Sequence, residues 1–180
     1  MARIAVAERT VKMPDGVTVS VSNGVVSVKG PKGELKRTLT SPGVVVSVTD
    51  QKVVIRAERP HRKEKALVGT FEAHIANMVK GVTAGFSYQM KTVYSHFPIK
   101  AKVDGDRFII ENFLGERHPR KAVILGDVKV QVKGDMVAVN GADKEHVGQT
   151  VANIERASKV TRRDVRVFQD GIYLVSKEAH

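Results

Sequence analysis

The sequence predicts an α+β fold made by tandem duplication: two similar domains, residues 1–82 and 83–180, each with antiparallel β-sheets packed around one α-helix. Three observations predict it. Most of the chain alternates apolar and polar residues with turn signals between the runs, which is the signature of half-buried strands. The period lengthens to three and four residues in only two places, one in each half. The second half also repeats the first. Val21, Val26, Val28, Gly33 and Glu34 recur 82 positions later as Val103, Phe108, Ile110, Gly115 and Glu116. Val46, Val48, Val53 and Ile55 recur 84 positions later as Val130, Val132, Val137 and Val139, and Gly69, Ala73 and Ile75 recur 79 positions later as Gly148, Ala152 and Ile154. Loop insertions and deletions produce such small changes of offset, whereas chance matches among valines would not keep glycines, turns and helix in one order. With 180 residues and 42% apolar content the chain can bury two cores of this size.

In the first half, Val17, Val19 and Val21 alternate with Thr18, Ser20 and Ser22, and Val26 and Val28 resume after Asn23-Gly24. Asn-Gly between alternating runs predicts a hairpin with a type I′ turn. After the loop Gly30-Pro31-Lys32-Gly33, Leu35, Arg37 and Leu39 mark a short strand that stops at Ser41-Pro42-Gly43. Val44 to Val48 and Val53 to Ile55 form a second hairpin across Thr49-Asp50-Gln51-Lys52. Beyond Pro60, the stripe Leu67, Phe71, His74, Ile75 and Met78 predicts an amphipathic helix that Gly81 ends.

Alternation returns from Phe86 to Val103, with Phe86, Tyr88, Met90 and Tyr94 on one face, so the link between halves reads as a strand and limits movement between them. The repeat then supplies further strands, and Asp143 as N-cap opens a second helix with Val147, Val151 and Ile154 inward. The segment Lys159 to His180 has no counterpart in the first half. There Val165, Val167 and Phe168 read as strand-like, Asp170-Gly171 as a turn, Ile172 to Val175 as a closing strand, and Ser176 to His180 as a fraying end.

Thirty Lys and Arg against nineteen Asp and Glu leave a net charge of +11, which points to a polyanionic partner, most economically nucleic acid. An acidic membrane surface would suit the charge too, but no stretch reaches the roughly 18 consecutive apolar residues of a membrane span. The start MARIAVAERT lacks the long apolar segment of a secretory signal, so a protein made without one is expected. The absence of cysteine excludes disulfides and thiolate metal sites. The six histidines show no HExxH or HxH spacing, and no metal site or cofactor is expected. The loop Gly30 to Gly33 lacks the Walker spacing of a phosphate loop, and Asp104 and Asp106 around Gly105 are turn chemistry, not an acid and base pair.

Cations are the better lead, and they concentrate in two places. In Ile109 to Val123 an apolar run breaks at Leu114-Gly115 into Glu116, Arg117, His118, Pro119, Arg120 and Lys121, then resumes at Ala122. Gly115 gives the backbone freedom and Pro119 restricts itself and His118, which makes a braced turn carrying cations; an ordinary solvated turn is the plain alternative. Gly115-Glu116 here are the repeat partners of Gly33-Glu34, with Arg117 to Arg120 opposite Leu35 to Thr38. The second cluster is Arg162, Arg163 and Arg166, just past the second helix. Residues 1–80 are the more basic on net count, with fourteen cations against seven anions, but rigid local clustering governs phosphate binding, which ranks both clusters above Arg59 to Lys65. Tyr88, Tyr94 and Phe113 could stack on bases, yet each also fits a core alternation.

The stretches NMVKGVTAGFSYQMKTVYSHFPI (77–99), IENFLGERHPR (110–120), VNGADKEHVGQTVANIERAS (139–158) and RDVRVFQDGIYL (163–174) resemble the large-ribosomal-subunit protein six family in its archaeal and eukaryotic form, the archaeal more closely. The resemblance spans nearly the whole chain. It implies a duplicated α+β fold without enzymatic activity, cofactor or small-molecule substrate, in the cytoplasm within the large ribosomal subunit. It also implies binding to large-subunit rRNA near the lateral-stalk base and the sarcin-ricin region, beside neighbouring ribosomal proteins and close to docking translational GTPases. Carried onto this chain, the rRNA-binding residues are Arg117, His118, Arg120, Lys121, Lys159, Arg162, Arg163 and Arg166. The lysine- and glycine-rich segment of bacterial members after the second helix is missing here, so their contacts do not transfer. A freestanding RNA-binding or regulatory module is the alternative; an RNA-modifying enzyme would need a pocket of converging acid, base or metal groups.

Overall fold

In the computed structural model, which describes residues 6–49 and 51–179, the chain divides into two units, Met1–Ala84 and Gly85–His180. The first begins with β1 (Val6–Lys12), β2 (Thr18–Ser22), β3 (Val25–Gly30) and β4 (Gly33–Thr38), followed by β5 (Val45–Thr49), β6 (Lys52–Glu58) and α1 (Arg62–Thr83). All pairing is antiparallel, in two sheets ordered β2-β3-β4 and β1-β6-β5. The β2–β3 turn is of the expected kind: Asn23 (φ 49°) and Gly24 (φ 75°) both adopt the positive φ that a type I′ hairpin requires. The fully buried Val26, Val28, Val53 and Ile55 lie under the helix stripe Val68, Phe71, Ile75, Met78, Val79 and Val82. Asp50 of the β5–β6 turn lies outside the described residues, as does His180 at the C-terminal end.

Two features of this unit depart from the sequence reading. Gly81 does not end the helix; it is buried within it, and α1 runs on to Thr83 with Ala84 as C-cap. At the same end Gly30 of β3 lies against Val82, where a Cβ would stand 2.7 Å from the Val82 Cγ2, so the close approach of strand and helix requires glycine there. The second departure is β1 itself, which the alternation did not reveal. Only Val11 of its seven residues is buried, and its charged side chains mask any period of two.

The second unit comprises β7 (Phe86–Val93), β8 (Lys100–Asp104), β9 (Arg107–Glu111), β10 (Arg120–Val123), β11 (Lys129–Lys133), β12 (Met136–Gly141), α2 (Lys144–Ala157) and β13 (Gly171–Ala179). Its sheets are ordered β10-β9-β8 and β11-β12-β7-β13. Asp143 caps α2 as expected, its side chain accepting from the Glu145 amide at 2.8 Å, and Val147, Val151 and Ile154 are buried. The strand expected from Phe86 to Val103 is instead interrupted: β7 stops at Val93, and Tyr94, 40% exposed, lies outside its inward face. Val165 and Val167 form a solvent-exposed turn, with the Val167 and Phe168 amides donating to the Asp164 carbonyl, so no strand forms there. Asp170 and Gly171 are buried rather than at a turn, and β13 continues past Val175 through a bulge, so Ser176 to Ala179 pair with β7 instead of fraying.

Register confirms the duplication residue by residue. Val46↔Ile55 and Val48↔Val53 in the first unit match Val130↔Val139 and Val132↔Val137 in the second. Ile55↔Arg9 and Val53↔Val11 likewise match Val139↔Tyr88 and Val137↔Met90, which makes β1 the counterpart of β7. One inferred correspondence fails. Val28 pairs with Leu35, seven residues on, but its counterpart Ile110 pairs with Arg120, ten residues on. Structurally Arg120 is thus the partner of Leu35, and Gly115-Glu116 belong to an insertion of three residues, not to a scaffold inherited with Gly33-Glu34. Sequence offset misread this because the glycines coincide while the loop between the strands lengthens.

Candidate nucleic-acid interface

The lengthened turn between β9 and β10 is held from below. Phe113 is 1% exposed and sits in the second core, anchoring a short 3-10 turn over Phe113–Gly115. Asn112 (φ 58°), Leu114 (φ 50°) and Gly115 (φ 76°) all take left-handed conformations, which chirality disfavours for the first two and which tertiary contacts must therefore impose. The Asn112 Nδ2 supplies one such contact by donating to the Pro98 carbonyl at 3.0 Å. Phe113 is a core residue and is not available for stacking; Tyr88 is buried as well.

Arg120, at the start of β10, fastens this turn to the end of α2. Its Nε donates to Glu116 Oε2 at 2.8 Å and its Nη2 to Glu116 Oε1 at 2.5 Å, a bidentate pair across the turn. Its Nη1 donates to the carbonyls of Ala157 (3.0 Å) and Lys159 (2.8 Å), and its guanidinium lies 4.2 Å from the centre of the Phe113 ring. The last carbonyls of a helix lack intrahelical donors and carry the negative end of its dipole, so a guanidinium is well suited to cap α2 there. Four of the five donors that a guanidinium carries are thereby used. Arg120 is a clamp that leaves little of itself for an RNA phosphate.

The hydrogen bond from Arg120, above all, holds the Glu116 carboxyl below the usual glutamate range, with the charge of Arg163 adding to it. The two cationic clusters are one neighbourhood, because Arg120 of the first reaches the Lys159 carbonyl at the start of the second; there the Arg163 guanidinium lies 4.7 Å from the Phe168 ring centre. The segment carrying Lys159, Arg162 and Arg163 is fixed at both ends. Buried Ser158 accepts from the Ile172 amide at 3.1 Å, and buried Asp170 accepts from the Ser95 hydroxyl at 3.0 Å. Since Glu116 titrates lower folded than unfolded, its contribution to stability is present at neutral pH and is lost as pH falls through its folded value. Glu116→Gln should therefore show a shallower loss of melting temperature than wild type between about pH 5 and pH 3. Superimposable acid limbs would show that this pair does not couple folding to protonation.

The remaining sequence-inferred residues divide into three groups. Arg117, His118, Lys159 and Arg162 are exposed, and their side chains have no hydrogen-bond or ion-pair partner among the described residues. Lys121 is equally exposed but alternates to the opposite face of β10 from Arg120, so the structure does not gather it with the others. Arg166 is engaged by Asp164, donating from Nη2 to Oδ2 at 2.8 Å and from Nε to Oδ1 at 3.1 Å, which lowers the Asp164 pKa and offsets part of the local positive charge. Sequence reading missed the clamp. Glu116 and Arg120 are four apart, a spacing with meaning on a helix, but no periodicity marks a helix here and the α2 carbonyls are far away in sequence. Among the described residues no group of His, Asp and Glu is placed to hold a metal ion, and no helix is long and apolar enough to cross a membrane.

The model of one protein family, ribosomal protein L6, matches residues 13–85 and 97–171, the first segment nearly all in the first unit and the second within the second. The large ribosomal subunit protein uL6 of Methanobrevibacter smithii is 52% identical over 174 residues, covering 97% of this chain and 98% of its own. That of Methanothrix thermoacetophila is 54% identical over 169 residues, covering 94% and 96%, and that of Methanosarcina mazei 50% identical over 169 residues with the same coverage.

Proposed function

This chain belongs to the ribosomal protein L6 family, and we propose that its second unit binds large-subunit rRNA near the base of the lateral stalk and the sarcin-ricin region. It is a structural, non-enzymatic constituent of the large ribosomal subunit in the cytoplasm, working in translation. The observation that carries the rRNA-binding reading is a set of unpartnered polar side chains, three of them cations, around an already satisfied clamp. Arg117, His118, Lys159 and Arg162 project from segments fixed by Arg120, Ser158 and Asp170, so little ordering entropy opposes their contacts with phosphate. Arg163, Arg166 and Lys121 extend the contact surface, and Arg120 serves as a positioning residue. Recognition works through RNA shape, phosphates and 2′-hydroxyls, because side chains cannot read the deep groove of an A-form helix. Neighbouring ribosomal proteins adjoin this site, and translational GTPases dock close by.

The chain has no cysteine, so His118→Cys creates a unique tether for a hydroxyl-radical source. In reconstituted large subunits the expected result is rRNA cleavage at the stalk base and in the sarcin-ricin region; cleavage elsewhere would overturn that location. Cosedimentation of the chain with large subunits at one copy each is expected, and its failure would favour a freestanding RNA-binding module.

A further inference from the structure

The duplication leaves one asymmetry with a functional reading. In the second unit β7 is an interior strand, covered along one side by β13. Its counterpart β1 in the first unit is an edge strand, because no strand among the described residues stands there as β13 does beside β7. Beside that open edge lies a groove of about 290 Å³ lined by Val6, Ala7, Glu8, Arg9, Lys65, Val68 and Gly69.

The repeat register explains why the groove exists. Ala7 stands where the second unit has Phe86, and Arg9 where it has Tyr88; Lys65, Val68 and Gly69 correspond to Lys144, Val147 and Gly148. In the second unit Phe86 and Tyr88 are buried, and Ala179 and Lys177 of β13 pair with them. In the first unit a methyl group replaces one ring, and no strand among the described residues pairs with the outer edge of β1. An unpaired edge exposes a row of backbone donors and acceptors, which is the template for strand addition.

We propose that β1 and this groove receive an extended segment of a neighbouring protein of the large subunit, added antiparallel to β1 as β13 is to β7. The segment carries a large apolar side chain over Ala7. It also carries an acidic residue towards Lys65, whose side chain has no partner among the described residues; Arg9 is already paired, its Nε 3.8 Å from the Glu72 carboxylate. Charge at the rim is mixed, since Glu8 lines it beside Arg9 and Lys65 and Glu72 pairs with Arg9; the strand-shaped vacancy is what favours an extended peptide over RNA, which has no backbone amides to pair with the edge. The proposal rests on the chain's place in the large subunit.

The test compares amide hydrogen exchange of residues 6–12 in the free full-length chain and in assembled large subunits, with a photo-crosslinking amino acid at Thr10 in parallel. Expected are an increase of about tenfold or more in protection on assembly and a crosslink to a peptide of another ribosomal protein. Ala7→Phe, which fills the groove as Phe86 does, should abolish both; Lys65→Glu, a surface change, should reduce the crosslink several-fold while incorporation persists. Equal exchange in the two states, or a crosslink to rRNA or to this chain itself, overturns the proposal while leaving the ribosomal role intact. Failure of the wild-type chain to enter large subunits would overturn both.

Discussion

Arg120→Ala is expected to destabilise the second unit by about 2–4 kcal/mol and to lower its melting temperature by roughly 10–20 °C. The substitution removes both hydrogen bonds that hold Glu116, both that reach the end of α2, and the packing over the Phe113 ring. The Ala157 and Lys159 carbonyls lose the donor that reaches them, and Glu116 keeps only the weaker influence of the Arg163 charge. The Arg120 side chain is 21% exposed, so water can replace part of what is removed, which holds the expected cost below that of breaking a fully buried pair. Arg120→Lys should rescue little, because one ammonium cannot serve a bidentate carboxylate and two carbonyls together. Differential scanning calorimetry of the three proteins measures this directly. A fall of only 1–2 °C for Arg120→Ala would show that the clamp does not hold the unit together.

Most of the fold could be read from the sequence because local rules and tertiary packing agree there. The Asn23-Gly24 turn, the Asp143 cap and the stripe Val147, Val151 and Ile154 each have one physical interpretation, and the structure has that one. The misses share a cause. Gly81 reads as a stop signal only when burial is unknown; inside α1 it lies buried in the packed helix. β1 hid its period because an edge strand with one buried residue needs no apolar alternation. The extent of β13 was hidden by the bulge at Val175, which breaks the alternation before Ser176.

At the candidate site, the sequence singled out two segments but not the division of labour among their side chains. Arg117 and Arg120 look alike in a string of cations; only the positions of Glu116, Ala157 and Lys159 show that one is free and the other committed. Clustering of Arg163 with Glu116 depends on an approach between segments more than forty residues apart, which no local pattern carries. Lys121 groups with its neighbours in sequence and is separated from Arg120 by the alternation of β10.

The central claim is that rigidly held, unpartnered cations of the second unit neutralise rRNA phosphates. It is tested most directly by filter-binding titration of the wild-type chain and of the Arg117→Gln, Lys159→Gln, Arg162→Gln variant on the same large-subunit rRNA fragment across a range of salt. These three side chains hold nothing else in place, so melting should be unchanged. Affinity should fall on the order of 100-fold at 0.1 M salt, and the slope of log K against log salt should flatten by roughly 2 to 3, at about 0.7–0.9 for each phosphate no longer neutralised. An unaltered slope with unaltered affinity would contradict the account.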